Sequence, residues 1–195
     1  AEDMQLLREA LVGLLVHEPG MTVVAQVASG SDAVAAALEH QPDVAVLDIA
    51  MPGLDGLQAA AALREELPSC RVLILTALTG PGQLRNALQA QVAGFLPKDV
   101  GAEQLTAAIR AVAAGGRAFD SDLAMAALQS PASPLTQRET EVLRLSATGA
   151  QPVEIAEKLF ITYGTARNYL TSAVAKLGAR NRIDAVRIAT ESGWI

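Results

Sequence analysis

The sequence has little of several features that define whole classes of protein. It contains a single cysteine, Cys70, so an intramolecular disulfide is excluded, and no cluster of Cys and His indicates a metal–sulphur site. Its apolar runs, such as residues 59–63, are far short of the roughly 20 residues that cross a bilayer. The acidic start also lacks the basic segment of a signal peptide. These absences predict a globular protein of the reducing cytoplasm that contacts no membrane.

Charge is distributed unevenly along the 195 residues, 51% of which are hydrophobic and can form a sizeable core. Residues 1–130 carry 15 acidic and 7 basic side chains, whereas residues 131–195 carry 6 and 8. Between residues 165 and 187 five cations outnumber one acid, which is typical of a nucleic-acid-binding surface and also of a solvated helix face. The two parts of the chain therefore favour different partners.

The first part of the chain alternates apolar β-type segments with amphipathic helical ones. We predict strands at residues 22–27, 44–47, 72–75 and 92–96. We predict helices at residues 4–16 with Asp3 as N-cap, 29–40, 57–67, 83–91 and 102–114. This alternation specifies a doubly wound α/β fold with a parallel five-stranded sheet. The pattern needs an apolar strand before Glu2, so either the sequence starts after that strand or the sheet has lost it.

A change of composition follows the α/β part. Gly115-Gly116 end the alternation, a short helix is one interpretation of residues 121–129, and Ser130-Pro131-Ala132-Ser133-Pro134 indicates an extended linker. Capping residues then predict only helices, at residues 137–147, 153–159, 165–177 and 182–191. We therefore expect a first domain at residues 1–117, a linker at 118–133 and an all-α domain at 134–195.

Polar side chains stand where the predicted strands end. Asp48, Thr76 and Lys98 each end or follow a strand, and Glu2 and Asp3 come where a first strand would end. The carboxyl ends of parallel strands form one edge of the sheet, where α/β proteins bind ligands. Three carboxylates in one pocket repel one another unless a cation neutralises them, and oxygen ligands suit magnesium. Each group alone has an ordinary explanation as a cap, loop residue or surface charge, but together they have the parts that phosphoryl transfer requires.

These groups and their sequence context resemble the signature of a two-component receiver domain over residues 1–117. The motifs are Glu2-Asp3, Asp48, Met51-Pro52-Gly53-Leu54-Asp55-Gly56, Thr76-Ala77 and Gly94-Phe95-Leu96-Pro97-Lys98-Asp99. The resemblance implies that Asp48 accepts a phosphoryl group from a sensor histidine kinase and that Thr76 and Lys98 bind the phosphoryl oxygens. It implies that Phe95 is an aromatic switch, for which core packing is the alternative role. It also implies a set of Mg²⁺ ligands, namely Glu2, Asp3, Asp48 and the backbone carbonyl of Ala50.

The all-α part resembles the four-helix LuxR/NarL-type helix-turn-helix DNA-binding domain. The motifs are Leu135-Thr136-Gln137-Arg138-Glu139-Thr140-Glu141-Val142-Leu143, Glu154-Ile155-Ala156-Glu157-Lys158-Leu159, Thr165-Ala166-Arg167-Asn168-Tyr169, Lys176-Leu177 and Asn181-Arg182. Two positions depart from the family: Gly164 is unusual near the start of a recognition helix, and Tyr169 stands where the family usually has His. The run Arg167-Asn168-Tyr169 resembles a DesR-like subgroup.

This resemblance implies a role for the helix at residues 165–177 in the major groove of double-stranded promoter DNA. It directs one set of side chains toward base edges: Arg167, Asn168 and Thr171. It directs a second set toward phosphates: Thr165, Tyr169, Lys176 and Arg182. The chemistry agrees, because Arg and Asn pair with purine edges whereas hydroxyls and Lys suit the backbone. Core packing is the alternative role of Tyr169.

Together the motifs identify the chain as a member of the NarL/FixJ-type response regulators, which implies a transcription factor and not an enzyme. Phosphorylation is expected to promote a homodimer, through the first and last receiver helices or through the helix after Thr76 with the last strand. One alternative is an interaction module that works without phosphorylation. An aspartyl-phosphate phosphatase or transferase is disfavoured, because Ala50 replaces the second acid of an Asp-x-Asp motif.

Overall fold

The computed structural model describes residues 1–78, 80–120 and 133–195. These residues form two compact units, one N-terminal and one C-terminal. The N-terminal unit combines a β-sheet with helices, whereas the C-terminal unit is built from helices. No helix within the described ranges has the length and apolar character needed to cross a membrane.

A parallel sheet organises the N-terminal unit. Its strands lie in the order β1 (Val44–Leu47), β2 (Arg71–Thr76), β3 (Gly94–Pro97) and β4 (Ala118–Phe119). The helices of this unit are α1 (Gln5–Leu15), α2 (Gly30–His40), α3 (Gly56–Glu66), α4 (Pro81–Gln89) and α5 (Ala102–Ala113). Leu73 and Ile74 on β2 and Phe95 on β3 are fully buried, because β2 and β3 are the central strands. The predicted α/β class with parallel strands is confirmed.

Of the four strands that we predicted within the sequence, three form, and the fourth strand of the described sheet is β4, which we did not predict. The strand predicted at residues 22–27 does not form in these described residues. Only residues 1–2 lie between this segment and β1, since Glu2 N–H donates to the Val27 carbonyl (3.1 Å) and Asp48 N–H donates to the Ala1 carbonyl (3.0 Å). Two residues are too few to provide a ladder of backbone hydrogen bonds for a further strand.

β1 is less buried than its apolar sequence predicts. Three of its four residues, Val44, Ala45 and Val46, are half-buried, and only Leu47 is fully buried. The reason is the position of β1, which pairs with β2 on one side and lies at the edge of the sheet on the other. The predicted strand itself is confirmed, and its partial exposure follows from this edge position.

The start of α1 also differs from prediction. Met4 and not Asp3 is the N-cap, because the Glu2 carboxylate accepts the Met4 N–H at 3.2 Å and fixes the turn before Gln5. Arg8 reaches back from the first turn of α1 to donate to the Glu2 carbonyl at 2.6 Å. Asp3 is exposed beside this turn. The prediction that Asp3 caps the helix is wrong.

The sheet continues past residue 117, where we expected the first domain to end. Gly115 has a positive φ of 91°, and the chain turns here to bring Ala118 and Phe119 against Gly94 and Phe95 of β3. The expected linker at 118–133 thus begins inside the sheet, as β4. The helix considered for residues 121–129 lies outside the described residues.

The C-terminal unit contains α6 (Gln137–Ala147), α7 (Pro152–Lys158), α8 (Tyr163–Lys176) and α9 (Arg182–Glu191). Its core includes the buried side chains of Leu143, Ile155 and Ala185. The predicted capping box of α6 is present, with the Thr136 hydroxyl and the Glu139 carboxylate each accepting a backbone N–H of the other residue. α8 begins two residues earlier than predicted, because Thr162 caps it by accepting the Thr165 N–H at 3.1 Å.

Candidate functional site

Asp48 lies immediately after β1, at the carboxyl edge of the sheet. Its side chain is buried, with only 3% exposed, so the interpretation of Asp48 as a solvated loop residue is wrong. A charged carboxylate in such a place needs partners of opposite charge or hydrogen-bond donors. Lys98, which follows β3, supplies one: its Nζ lies 2.8 Å from Asp48 Oδ2.

Lys98 joins two buried carboxylates. Its Nζ lies 2.8 Å from Glu2 Oε2 as well, and 16% of the Lys98 side chain is exposed. Burial by itself lowers the pKa of the Lys98 ammonium, but hydrogen bonds to Asp48 and Glu2 outweigh it and raise the pKa above its ordinary value. Lys98 is therefore held as a cation between Glu2 and Asp48 and is not a surface charge.

One oxygen of this cluster is left over. Asp48 Oδ1 is buried and has no hydrogen-bond partner among the described residues. Carboxylate oxygens of Glu2, Asp3 and Asp48 all lie within 4.8 Å of one another. Such a set of oxygen donors, one of them unpaired, fits the ligand preferences of Mg²⁺. The described residues thus contain an acidic cluster with the capacity to hold a divalent cation.

The loop after Asp48 is folded tightly against the end of β1. Met51 and Gly56 both donate their N–H to the Ile49 carbonyl, at 2.9 and 3.1 Å. A Cβ atom at Gly56 would collide with the Asp48 carbonyl, so the close start of α3 requires glycine there. Ala50, whose carbonyl is a predicted metal ligand, is exposed in this loop.

The structure places the two other predicted receiver residues on the central strands. Thr76 is fully buried at the end of β2, where its Oγ1 accepts the Leu78 N–H at 3.1 Å and its carbonyl accepts the Lys98 N–H at 2.9 Å. Phe95 is fully buried on β3, in register with Ile74 of β2. Thus Glu2, Asp48 and Lys98 are in direct contact, while the Thr76 hydroxyl accepts a bond from the following loop and Phe95 packs in the core.

In the C-terminal unit, α8 exposes a polar stripe. Arg167, Asn168 and Thr171 are exposed, at a spacing that places them on one face of the helix. Gly164 is exposed on the same face, one turn earlier. The opposite face of α8 is buried, through Ala166, Leu170 and Ala173. The three residues assigned to base edges are therefore all accessible.

The residues assigned to phosphates differ in how far they are buried and in the bonds that they make within the protein. Thr165 is half-buried with its Oγ1 2.8 Å from Thr162 Oγ1, and Tyr169 is half-buried against the core of the unit. Arg182 is half-buried and donates to the Ala150 carbonyl at 3.3 Å. Lys176 Nζ lies 2.7 Å from Glu139 Oε2. The packing of Tyr169 matches the alternative role considered for it.

Most cations of the basic stretch are paired within the fold. Arg180 and Arg187 lie 3.1 and 3.0 Å from the carboxylate of Asp184, and Arg187 also lies 2.6 Å from Glu191. Hydrogen bonds from Arg180 and Arg187 hold the pKa of the Asp184 carboxyl well below its usual range. The positive charge available to a ligand is therefore smaller than the sequence count indicates.

Sequence reasoning missed the second role of Glu139, which it assigned only to the capping box. The carboxylate is 4% exposed, and it accepts the Ser172 hydroxyl at 2.6 Å, the Lys176 ammonium at 2.7 Å and the Thr136 N–H at 2.7 Å. Burial alone would raise its pKa, but the bonds from Lys176 and Ser172 lower it to about 2. Lys176 is 37 positions away, so no local pattern pairs it with Glu139.

Two known protein families match the chain, one in its N-terminal part and the other in its C-terminal part. Residues 1–110 match the response regulator receiver domain, and residues 133–189 match the bacterial regulatory proteins of the luxR family. The chain is 45% identical over 194 residues to the transcriptional regulatory protein DesR of Bacillus subtilis (strain 168), covering 100% of this chain and 96% of that protein.

Two solved structures are similar over nearly the whole chain. The response regulator ChrA of a heme-sensing two-component system is 32% identical with a TM-score of 0.57, and the alignment covers 100% of this chain and 96% of ChrA. The two-component response regulator RcsB in a complex with DNA is 25% identical with a TM-score of 0.63, and the alignment covers 97% of this chain and 95% of RcsB.

Proposed function

The chain belongs to the response regulators that join a receiver domain to a LuxR-family DNA-binding domain, and on this premise we propose that it is a transcription factor controlled by phosphorylation of Asp48. One observation carries the proposal. Lys98 holds Glu2 and Asp48 together at the carboxyl edge of the sheet, while Asp48 keeps a buried oxygen without a partner among the described residues. A buried carboxylate in this state is suited to chemistry and not only to structure.

The proposed reaction is the transfer of a phosphoryl group to the Asp48 carboxylate. An oxygen of Asp48 attacks the phosphorus of a phosphohistidine on a sensor histidine kinase, forming an acyl phosphate. The bond from phosphorus to the histidine nitrogen breaks, and the nitrogen leaves with the electron pair. The Lys98 ammonium, already 2.8 Å from Asp48 Oδ2, stabilises the negative charge of the group that is added.

The acidic cluster provides the site for a metal ion. Glu2, Asp3, Asp48 and the carbonyl of Ala50 would hold Mg²⁺, and the mutual proximity of the three carboxylates supports this set. When bound, the ion supplies positive charge that offsets the repulsion between these carboxylates and an incoming phosphoryl group. In this proposal the chain is the phosphoacceptor, and the phosphohistidine of the kinase is the phosphoryl donor.

The proposed output is promoter binding by residues 134–195. The exposed stripe of Arg167, Asn168 and Thr171 supports the placement of α8 in the major groove. Of the residues assigned to phosphates, Thr165, Tyr169 and Arg182 are half-buried, and Lys176 also holds Glu139. Because one small domain makes few phosphate contacts, a receiver homodimer raises occupancy by pairing two domains on two half-sites.

The experiment that tests the proposal measures the mass, the oligomeric state and the affinity for duplex DNA of the full chain before and after treatment with acetyl phosphate and Mg²⁺. We expect a mass gain of one phosphoryl group that requires Mg²⁺, an increase in the dimer fraction and tighter binding to duplex DNA. Equal DNA binding and an unchanged monomer fraction after full phosphorylation would instead support an interaction module that does not respond to phosphorylation. Absence of any mass gain in the presence of Mg²⁺ would contradict the phosphoacceptor role.

A further inference from the structure

The start of α8 carries an exposed cation–π pair, in which the guanidinium of Arg167 lies over the ring of Tyr163. The guanidinium carbon of Arg167 lies 5.8 Å from the centroid of the Tyr163 ring. The two residues are four positions apart, so they lie on the same face of the helix, one turn from each other. Tyr163 is 49% exposed, and Arg167 is exposed as well. The contact is therefore not a by-product of core packing.

Arg167 differs from the other cations of residues 165–187 in what it contacts. Lys176, Arg180, Arg182 and Arg187 each donate to an oxygen of the protein. The donors of Arg167 meet no oxygen of the described residues, and the ring of Tyr163 is its partner. A guanidinium held over a ring by a cation–π contact gives up none of its N–H groups to an oxygen, so these groups remain able to donate. The ring thus restrains the cation without using its hydrogen bonds.

We infer that Tyr163 is a positioning residue that holds Arg167 for guanine recognition, an inference that rests on the proposed DNA-binding function. Two N–H groups of one guanidinium must meet two acceptors of guanine in one plane. A free arginine loses much side-chain freedom when it is fixed in that plane, whereas one restrained by a cation–π contact has already lost part of it. Tyr163 therefore contributes to base selectivity through Arg167, and its ring, not its hydroxyl, is the part that acts.

The inference is tested in the full chain with a set of matched variants. Tyr163→Phe keeps the ring, Tyr163→Leu keeps bulk without a π face, and Tyr163→Ala removes both. Arg167→Ala and the double variant with Tyr163→Ala measure the coupling between the two residues. Phe160→Ala is the control, because Phe160 is a 96% exposed aromatic residue in the turn before α8.

The probe is a library of duplexes with two randomised half-sites, from which the wild-type chain selects a preferred sequence. Affinities are then measured for the selected duplex and for a scrambled one, and thermal unfolding confirms that each variant folds. We expect Tyr163→Ala and Tyr163→Leu to weaken the selected duplex roughly two- to fivefold, the size of an exposed cation–π contact. Preference is expected to relax at the same base position as in Arg167→Ala, with the scrambled duplex unaffected.

Tyr163→Phe and Phe160→Ala are expected to behave as wild type, and the double variant is expected to be no weaker than Arg167→Ala alone. Equal losses on both duplexes, or a loss in Tyr163→Phe, would overturn the inference by making Tyr163 a phosphate contact. Wild-type selectivity in Tyr163→Ala would overturn it as well. If the wild-type chain enriches no duplex at low salt, the proposed function itself fails, which is distinct from the failure of the Tyr163 inference alone.

Discussion

Each unit of the chain holds a buried carboxylate with a lysine, and the two carboxylates differ in one respect. In the C-terminal unit both oxygens of Glu139 are used, by Ser172, Lys176 and the Thr136 N–H. In the N-terminal unit Lys98 occupies Asp48 Oδ2, while Asp48 Oδ1 has no partner among the described residues. A fully satisfied carboxylate stabilises the fold, whereas one with an unsatisfied oxygen retains the capacity to bind a cation or attack phosphorus.

The largest expected effect is the loss of phosphorylation when Asp48 is substituted. Asp48→Asn is expected to abolish the phosphoryl mass gain from acetyl phosphate, because a neutral side-chain amide does not attack phosphorus as a carboxylate does. The free energy of unfolding is expected to change by less than about 1 kcal/mol, since Lys98 keeps Glu2 as an anionic partner and the side-chain amide oxygen of the variant can still accept a hydrogen bond from Lys98. Asp43→Asn, an exposed acid just before β1, is the matched control and is expected to gain phosphate normally. A wild-type mass gain in Asp48→Asn would refute the assignment.

The corresponding change in the other unit acts on stability. Lys176→Ala leaves the Glu139 carboxylate buried without its cation, and we expect a loss of about 3 kcal/mol in the free energy of unfolding of the C-terminal unit. Chemical denaturation followed by circular dichroism measures it, and phosphorylation at Asp48 is expected to continue. Arg144→Ala, on α6, removes an exposed cation as the control. Unchanged stability in Lys176→Ala would show that the pair with Glu139 is not structural.

Arg167 and Lys176 are expected to contribute differently to DNA binding. Arg167→Ala is expected to cost about 1–3 kcal/mol on a preferred duplex and to relax preference at one base position. Lys176→Ala is expected to weaken all sequences alike and to lower the salt slope by about one if Lys176 leaves Glu139 for a phosphate. Equal losses on preferred and random duplexes for Arg167→Ala would remove Arg167 from the base-reading set.

The stability of the C-terminal unit is expected to depend on pH through Glu139. The pKa of Glu139 is lowered to about 2 in the folded chain, so its contribution to stability is complete above its ordinary pKa and is lost as the pH falls toward 2. We expect the C-terminal unit to lose stability over this range, as measured by denaturation at each pH. In Glu139→Gln the dependence is expected to be flatter. An equally steep dependence in that variant would assign the effect to other groups.

Local sequence signals predict some features of the fold and of the candidate site, and they do not predict others. Asp48, Thr76 and Lys98 were predictable because each follows an apolar β-type run, which places it at a strand end. The strand at residues 22–27 was wrongly predicted because a strand requires a partner, and only residues 1–2 lie between it and β1. The sequence of a segment reports its own β-propensity and not the presence of its neighbour.

Sequence spacing also predicts some of the charge pairs and not others. Asp184 lies three or four positions from Arg187 and Arg180, so this network was predictable from spacing, whereas the bond between Glu139 and Lys176 depends on how α6 and α8 pack. The orphan oxygen of Asp48 likewise depends on three segments, those of Glu2, Asp48 and Lys98. Whether a carboxylate is structural or reactive is thus decided by tertiary contacts that sequence spacing does not reveal.

The smallest expected effect is an increase in the stability of the C-terminal unit, caused by a substitution at Gly164. A Cβ atom at Gly164 would meet no neighbour closer than Thr162 Oγ1 at 3.9 Å, so nothing in the described residues requires glycine inside α8. Gly164→Ala is expected to stabilise the C-terminal unit by about 0.5–1 kcal/mol, through the lower backbone entropy of the unfolded chain. Thermal unfolding measures the change, and a decrease in stability would contradict the described helix start.

The difference between the two carboxylates is tested most directly by locating the phosphoryl group. The full chain is treated with acetyl phosphate and Mg²⁺, the acyl phosphate is trapped by borohydride reduction, and the peptides are analysed by mass spectrometry. The account predicts modification of the peptide that contains Asp48, in wild type and in Glu139→Gln alike, and none in Asp48→Asn. Modification of the peptide that contains Glu139, or of any peptide in Asp48→Asn, would contradict it.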